Sequence, residues 1–226
     1  MYFDVEFVLK LIPDILKAIP VTLALTVIPI LLGMVFGFLV ALIRNYKIPV
    51  LHQASVLFVS FIRGIPMFVL LFLFFYGLPR LFNLPLKTIP NFVVGLTTLF
   101  FYCTAYLSEI IRGALKSVDQ HQMEAARSIG MTAATAYRRI IVPQAIMVAL
   151  PNFFNYTTSL LKNSSLVFGI GIIDIMATAK IAAEKGYRYI EAYTVAAVLY
   201  ILLGFLFAWI FRRLEIRARK KLGEQV

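Results

Sequence analysis

Arg63 interrupts an apolar run in "FIRGIP", and Glu109 and Arg112 stand three residues apart in "YLSEIIRGALKSVD". A carboxylate and a guanidinium three apart share a helix face and can pair. Arg63 admits three readings. It snorkels toward headgroups, which relieves the roughly 2.5–3.5 kcal/mol cost of a deep arginine; it pairs with Glu109; or it touches a solute directly. Farther on, Lys162, Asn163, Ser164 and Ser165 form a polar knot between apolar segments. Polar, irregular backbone at that depth is tolerated only beside protein or water, so the knot either lines a pathway or is a loop at the headgroups. Asn155, Thr158, Ser159 and Asn163 offer hydrogen bonds to a small polar solute, with Tyr102 and Tyr156 as aromatic walls. Hydroxyls in helices more often bond their own backbone. This is chemistry for holding and passing a polar solute.

Other chemistry is poorly supported. The chain contains no G-x-x-x-x-G-K-[ST], no H-E-x-x-H and no G-x-S-x-G. Its one cysteine, Cys103, lies in an apolar stretch, which predicts a small buried hydrophobe rather than a disulfide or metal cluster. Both histidines, His52 and His121, fall in segments expected on the inner side of the membrane. Proton-driven carriers use intramembrane carboxylates or histidines as relays. Only Glu109 and Asp174 approach that role, near opposite faces.

The elements that must position these residues are membrane spans. The chain has 226 residues, of which 61% are hydrophobic and only 15% charged, well above the roughly 45–50% apolar content of soluble domains. Stretches free of Asp, Glu, Lys and Arg cover Ala18–Ile43, Gly64–Pro79, Thr88–Ser108, Ile140–Leu161 and Ala192–Phe211. A crossing takes about 20 residues, and the second stretch reaches that length only by extending back past Arg63. The spacing predicts an all-α integral membrane protein. Its spans are expected over about 18–43, 56–79, 88–111, 138–161 and 191–212, forming one transmembrane domain over 18–212. Phe3, Phe7, Val8, Leu11 and Ile15 recur at helical spacing, so 1–17 reads as an interfacial helix or an extension of the first span. Gly33-x-x-x-Gly37 is a close-packing face, within or between subunits. Residues 213–226 form a basic tail suited to anionic lipids. The net charge of +11 fits orientation better than nucleic acid. With the N-terminus outside and the C-terminus inside, 14 Lys and Arg residues lie inside and 8 outside, the sense of the positive-inside rule.

Between the third and fourth spans stands "MEAARSIGMTAATAYRRIIVPQA". Asp119 can cap a helix with Gln122 at N3, and Val118 and Met123 stand where a hydrophobic staple needs them. Gly130 is placed to end it, and Thr132 can start the next. The expected helix, Gln120–Ile129, is roughly 15 Å long and too short to be stable alone. It must dock on something.

Glu124-Ala125-Ala126, three residues, Gly130, nine residues, Ile140, one residue, Val142-Pro143 resembles the EAA loop of permease subunits in ABC importers. "FIRGIPMFVLLFLFFYGLP", "AYLSEIIRGALKSVDQHQMEAARSIG" and "LLKNSSL" are similar to the branch that carries polar amino acids. Three positions depart from the pattern. Val142 replaces leucine, Ile65 replaces a threonine, and Asn155-Tyr156 stands where many members show Asn-Glu, which weakens the case for a cationic substrate. The resemblance implies a type I ABC importer permease fold in the bacterial cytoplasmic (inner) membrane, with residues 120–130 as a coupling helix. Glu124, Ala125, Ala126, Arg127, Gly130 and Met131 would meet a cytoplasmic ABC ATPase. Ala125 and Ala126 let backbones approach, and Gly130 turns the chain back sharply.

The same resemblance implies that this chain is not itself an enzyme and binds no cofactor, with ATP and Mg on the partner ATPase. It implies a second permease subunit, identical or a sister chain, and an extracytoplasmic amino-acid-binding protein. Arg63, Tyr102, Glu109, Asn155, Tyr156, Thr158, Ser159, Lys162 and Asn163 are the expected pathway residues, and cystine is the specific substrate guess. The rivals are an ion-gradient-driven carrier or channel and a membrane scaffold without a transport cycle.

Overall fold

A computed structural model describes residues 3–86 and 88–221. The chain is helical, with no strand among the described residues. α1 (Val5–Lys17) and α2 (Ile19–Asn45) follow one another with one interruption at Ala18. α3 (Leu51–Gly64) and α4 (Met67–Leu81) come next, then α5 (Asn91–Ser117). Two short helices, α6 (His121–Ser128) and α7 (Ala133–Ala136), lead through a widened π turn into α8 (Val142–Asn163). A tighter 3-10 segment, Ser164–Ile170, connects to α9 (Ile175–Gly186), and α10 (Tyr189–Lys221) closes the chain.

Three stretches are long and apolar enough to cross a membrane, namely Val5–Asn45, Asn91–Ser117 and Tyr189–Arg217. Two bent pairs raise that number to as many as five. The first is α3 with α4, bent by 112°, so the span expected over 56–79 is not one straight helix. Neither half, at about 21–23 Å, matches the roughly 30 Å hydrocarbon core alone. The break has a local cause. Pro66 disfavours helical backbone at the preceding residue, and Ile65 is extended at φ −104° and ψ 135°. The second pair, Ala133–Ile170 with α9, bends by 52°. Here Gly171 adopts a left-handed φ of +80°, a conformation open chiefly to glycine.

α5 is the central post, and α2 is its most extensive partner. A Cβ on Gly33 would lie 2.5 Å from Cys103 Cβ, and one on Gly37 would lie 3.0 Å from the Ser108 backbone nitrogen. The small-residue face therefore packs within this chain. Moving one turn along α2 advances the contact from Cys103 to Ser108, so the two helices run parallel. A cluster including Leu25, Ile30, Leu70, Leu71, Leu99 and Leu107 fills the space around this pair.

α1 is not an isolated surface helix. It buries Leu11 and Ile15 against Ala179, Ala183, Ala192 and Val195 of α9 and α10. Arg188 bridges Asp4 at 3.3 Å, and the Asp4 amide donates to Glu191 at 3.1 Å. α10 runs 33 residues, about 50 Å, beyond any single crossing. Residues 213–221 of the basic tail thus continue that helix, while 222–226 lie outside the described residues.

Candidate functional site

The structure sorts the residues of interest into three places. The first is α6 and its turns. Asp119 Oδ1 accepts from the His121 amide at 2.9 Å, which satisfies one of the donors a helix start leaves open. Val118 is buried in a small core with Ala114, Ile141 and Ala145, and Met123 packs onto the same cluster. That staple roots α6 on the ends of α5 and α8. At the other end the Met131 amide reaches Ala126 O at 3.0 Å, and the Gly130 amide reaches Arg127 O at 2.9 Å. With Gly130 at φ +80°, these two bonds form a Schellman close. Thr132 then caps α7 through the Thr135 amide at 3.3 Å. Pro143, which has no amide proton, sits just past the π turn of Tyr137–Ile141, where a missing donor loosens the ladder. Glu124, Ala125 and Arg127 are exposed, whereas Ala126 is buried. Glu124 also lies 3.2 Å from His121.

The second place is a charge cluster on α5. Glu109 pairs with Arg112 at 2.5 Å, with Arg63 of α3 at 3.5 Å, and with Arg44 at the end of α2. Both pairings anticipated for Glu109 occur together, and the third guanidinium, Arg44, was missed. Three positive groups and one carboxylate leave a net charge of 3 − 1 = +2. The partners differ in how they are held. Arg44 and Arg112 hydrogen-bond Glu109, while the Arg44 Nε is buried without a partner. Arg63 makes no hydrogen bond among the described residues and keeps 42% of its side chain exposed. Its guanidinium lies 5.1 Å from the centroid of the Tyr106 ring, within reach of a cation–π attraction.

Tyr106 joins this cluster to the candidate aromatic walls. Its ring is 4.5 Å from Tyr102 and stacks at 5.5 Å and 17° on Tyr156. Tyr102 and Tyr156 are both buried, so in this conformation they back the site rather than wall an open space. The Tyr156 hydroxyl is buried without a hydrogen-bond partner among the described residues. Sequence reading named Tyr102 and Tyr156 but not Tyr106, whose i, i+4 spacing from Tyr102 was the available signal.

The third place is one side of α8. Asn155, Ser159 and Lys162 are exposed at i, i+4 and i+7, one stripe on a helix of 3.6 residues per turn. Thr158, Lys162 and Ser165 edge a cavity of about 590 Å³ facing Tyr193, Tyr200 and Phe205 of α10. Thr158 bonds back to Phe154 O at 3.2 Å and Ser165 to Lys162 O at 2.6 Å, the local bonding that hydroxyls in helices favour. Asn163 is half-buried at the end of α8. Ser164 is buried and donates to Leu161 O at 2.9 Å.

The remaining intramembrane carboxylate is structural. Asp174 is fully buried, caps α9 through the Ala177 amide at 2.8 Å, and accepts from the Tyr200 hydroxyl at 3.2 Å. No cluster of metal-ligating side chains occurs among the described residues.

A broken-helix bundle with a short helix rooted at its base is the architecture of an ABC importer permease. Residues 33–220 match the family described as the binding-protein-dependent transport system inner membrane component, and the chain belongs to that family, as a multi-pass protein of the inner membrane. It is 41% identical over 96% of its length to a probable amino-acid permease protein, YxeN, of Bacillus subtilis (strain 168), with 96% of that protein covered. It is 38% identical to the probable amino-acid ABC transporter permease protein PatM of Vibrio harveyi, covering 99% of this chain and 98% of that one. The L-cystine transport system permease protein TcyL of Bacillus subtilis (strain 168) is 36% identical, over 96% and 92% of the two chains. Among solved structures, an amino acid ABC transporter with histidines superposes with a TM-score of 0.87 at 34% identity, covering 96% of this chain and all of that one. The MetNI methionine ABC transporter shares the fold at a TM-score of 0.74 and 19% identity, over 90% and 95% of the two chains.

Proposed function

We propose that this chain is the transmembrane subunit of an ATP-driven importer of polar amino acids. α6 is its coupling helix, pressed into a groove of a cytoplasmic ABC ATPase that carries the ATP and Mg. The observation that carries the reading is the construction of α6 itself. An eight-residue helix is marginal on its own, yet this one is stapled, closed by Gly130 and left with Glu124, Ala125 and Arg127 facing outward. Met131 starts the return to the membrane. The N-terminus lies outside and the C-terminus in the cytoplasm, with the transmembrane domain over 18–212.

A second permease subunit completes the pathway, with Asn155, Thr158, Ser159, Lys162 and Asn163 of α8 facing it, and an extracytoplasmic binding protein delivers the cargo. ATP binding draws the ATPases together and carries the coupling helices with them, because ATP binds one arrangement better than the other. The bend between α3 and α4 supplies a place for that movement to be absorbed. An ion-gradient carrier fits less well. Asp174 is committed to capping α9 and Glu109 to three arginines, so neither is placed as a free proton relay. For the cargo, uncharged polar amino acids are favoured. Tyr156 stands where many members of the family show a glutamate, which weakens the case for a cationic cargo, and the likeness to the L-cystine permease makes cystine the specific choice.

The test is reconstitution with the ATPase and binding protein, scanning amino acids for stimulated ATP hydrolysis. Glu124→Lys is expected to abolish substrate-stimulated turnover while the permease still inserts and purifies. Uptake that persists without any ATPase and tracks a proton or sodium gradient would replace this reading with the carrier.

A further inference from the structure

The cluster around Glu109 holds one positive charge more loosely than the others. Arg44 and Arg112 each hydrogen-bond the carboxylate, so Glu109 stays neutralised without Arg63. Arg63 approaches only to 3.5 Å without a formed hydrogen bond, and is the most exposed of the three arginines. A guanidinium carries five N–H donors in a planar fork, and none of Arg63's donates to a residue among those described. Arg63 is held by that long ion pair and by the Tyr106 face at 5.1 Å. It also occupies the last turn of α3, directly before the Ile65–Pro66 break, where a small change at the bend displaces it.

We propose that Arg63 is the residue that recognises the carboxylate of the transported amino acid. The inference rests on the importer reading above and deepens it. A planar oxyanion matches the guanidinium fork with two parallel charge-assisted bonds, which an ammonium cannot imitate. The amino acid is a zwitterion, so its arrival leaves the cluster's net charge of +2 unchanged, but its carboxylate meets the arginines while its ammonium lies farther away, so the local field favours the carboxylate end. Tyr106, backed by Tyr102 and Tyr156, lies against the guanidinium and offers an aromatic surface beside the amino acid's aliphatic part. Arg44 and Arg112 act as positioning residues, keeping Glu109 from reclaiming Arg63. A phospholipid phosphate is the other oxyanion that the same fork accepts. The tyrosine ladder favours the amino acid, since a headgroup at the bilayer edge has no use for three stacked rings leading inward.

The experiment uses the assembled transporter in nanodiscs without the binding protein. Calorimetry measures binding of L-glutamine, L-serine and L-cystine, each beside its carboxamide, which lacks the negative charge. The wild type is expected to prefer the carboxylate form by roughly 10- to 100-fold, the worth of a charge-assisted bond. Arg63→Gln should erase that preference by weakening only the carboxylate form, and Arg63→Lys should restore part of it, which also reports that the site still folds. A preference that survives in Arg63→Gln overturns the proposal. So does an Arg63→Gln effect confined to nanodiscs containing phosphatidylglycerol and absent in phosphatidylcholine alone, because that assigns Arg63 to a lipid phosphate. Binding that ignores the carboxylate defeats the anchor and leaves the importer standing. A wild type that binds none of the probes and whose ATPase responds to none defeats both.

Discussion

Glu109 carries more of the fold than any other ionisable residue, because one carboxylate joins α2, α3 and α5. Glu109→Gln leaves three guanidinium groups crowded with no counter-charge. Hydrogen bonds to charged groups contribute about 1.5–3 kcal/mol, and in a chain of this size that corresponds to a fall in melting temperature of about 3–12 °C. Thermal scanning of the purified permease checks it. Arg44→Ala and Arg112→Ala should each cost less than Glu109→Ala and be non-additive with it, since residues in one ion-pair network couple; additive effects would show that the pairs act independently. Much of this cluster was readable beforehand. The three-residue spacing exposed the Glu109–Arg112 pair, and the isolation of Arg63 in an apolar run flagged it. Arg44 was hidden because a basic residue at the end of an apolar helix reads as an orientation signal. What brings it to Glu109 is the tight α2–α5 packing, which sequence spacing does not reveal.

At the level of elements, glycine decides two interfaces. Gly33→Leu and Gly37→Leu would thrust side chains into the α5 backbone, and overpacking of this kind costs about 1–3 kcal/mol, occasionally more. Both variants should lose monodisperse protein on size exclusion. Gly204, with nothing within 4 Å of an added Cβ, should accept alanine with neutral or slightly raised stability. Gly130→Ala meets no clash but must hold φ +80°, a strain of roughly 1–2 kcal/mol for a residue with a Cβ. Its effect should appear in ATPase stimulation rather than in expression, and unchanged stimulation would mean that the turn tolerates distortion. Staple and stop of α6 were legible, since each depends on neighbours in sequence, and Asp119 was legible as the residue that closes its start, although it accepts from the His121 amide rather than forming the expected box with Gln122. Gly64 and Pro66 in the sequence are residues at which a helix breaks or kinks, but they do not give the 112° bend, because the angle is set by what α3 and α4 pack against. Of the two readings of residues 1–17, the extension of the first span is the one that holds, with a single interruption at Ala18. Proline in the first turn of a helix loses no bond, and Pro20 sits in the first turn of α2.

For the molecule as a whole, the proposed orientation places α6 and the turn after α9 on opposite sides of the membrane. Ser128 and Tyr187 are both exposed and mark those two faces. In right-side-out vesicles, a membrane-impermeant maleimide should label Tyr187→Cys and spare Ser128→Cys until the vesicles are opened. The reverse pattern would turn the molecule over and remove the ATPase from α6. Uncharged apolar length was enough to mark the expected spans because the bilayer demands it of every crossing, although two of them are bent pairs of helices. It says nothing of which helices stand at the centre, a matter settled by where glycine lets two of them touch.

One buried atom makes such measurements unusually clean. Cys103 is fully shielded where α5 meets Gly33 of α2, so the native protein presents no reactive sulfur to the outside. Any thiol introduced at the surface becomes the sole point of attachment, and the unaltered sequence already serves as a silent background for spin labels or fluorophores. Pairs of such probes across the α3–α4 bend would then report whether its angle changes during the proposed transport cycle.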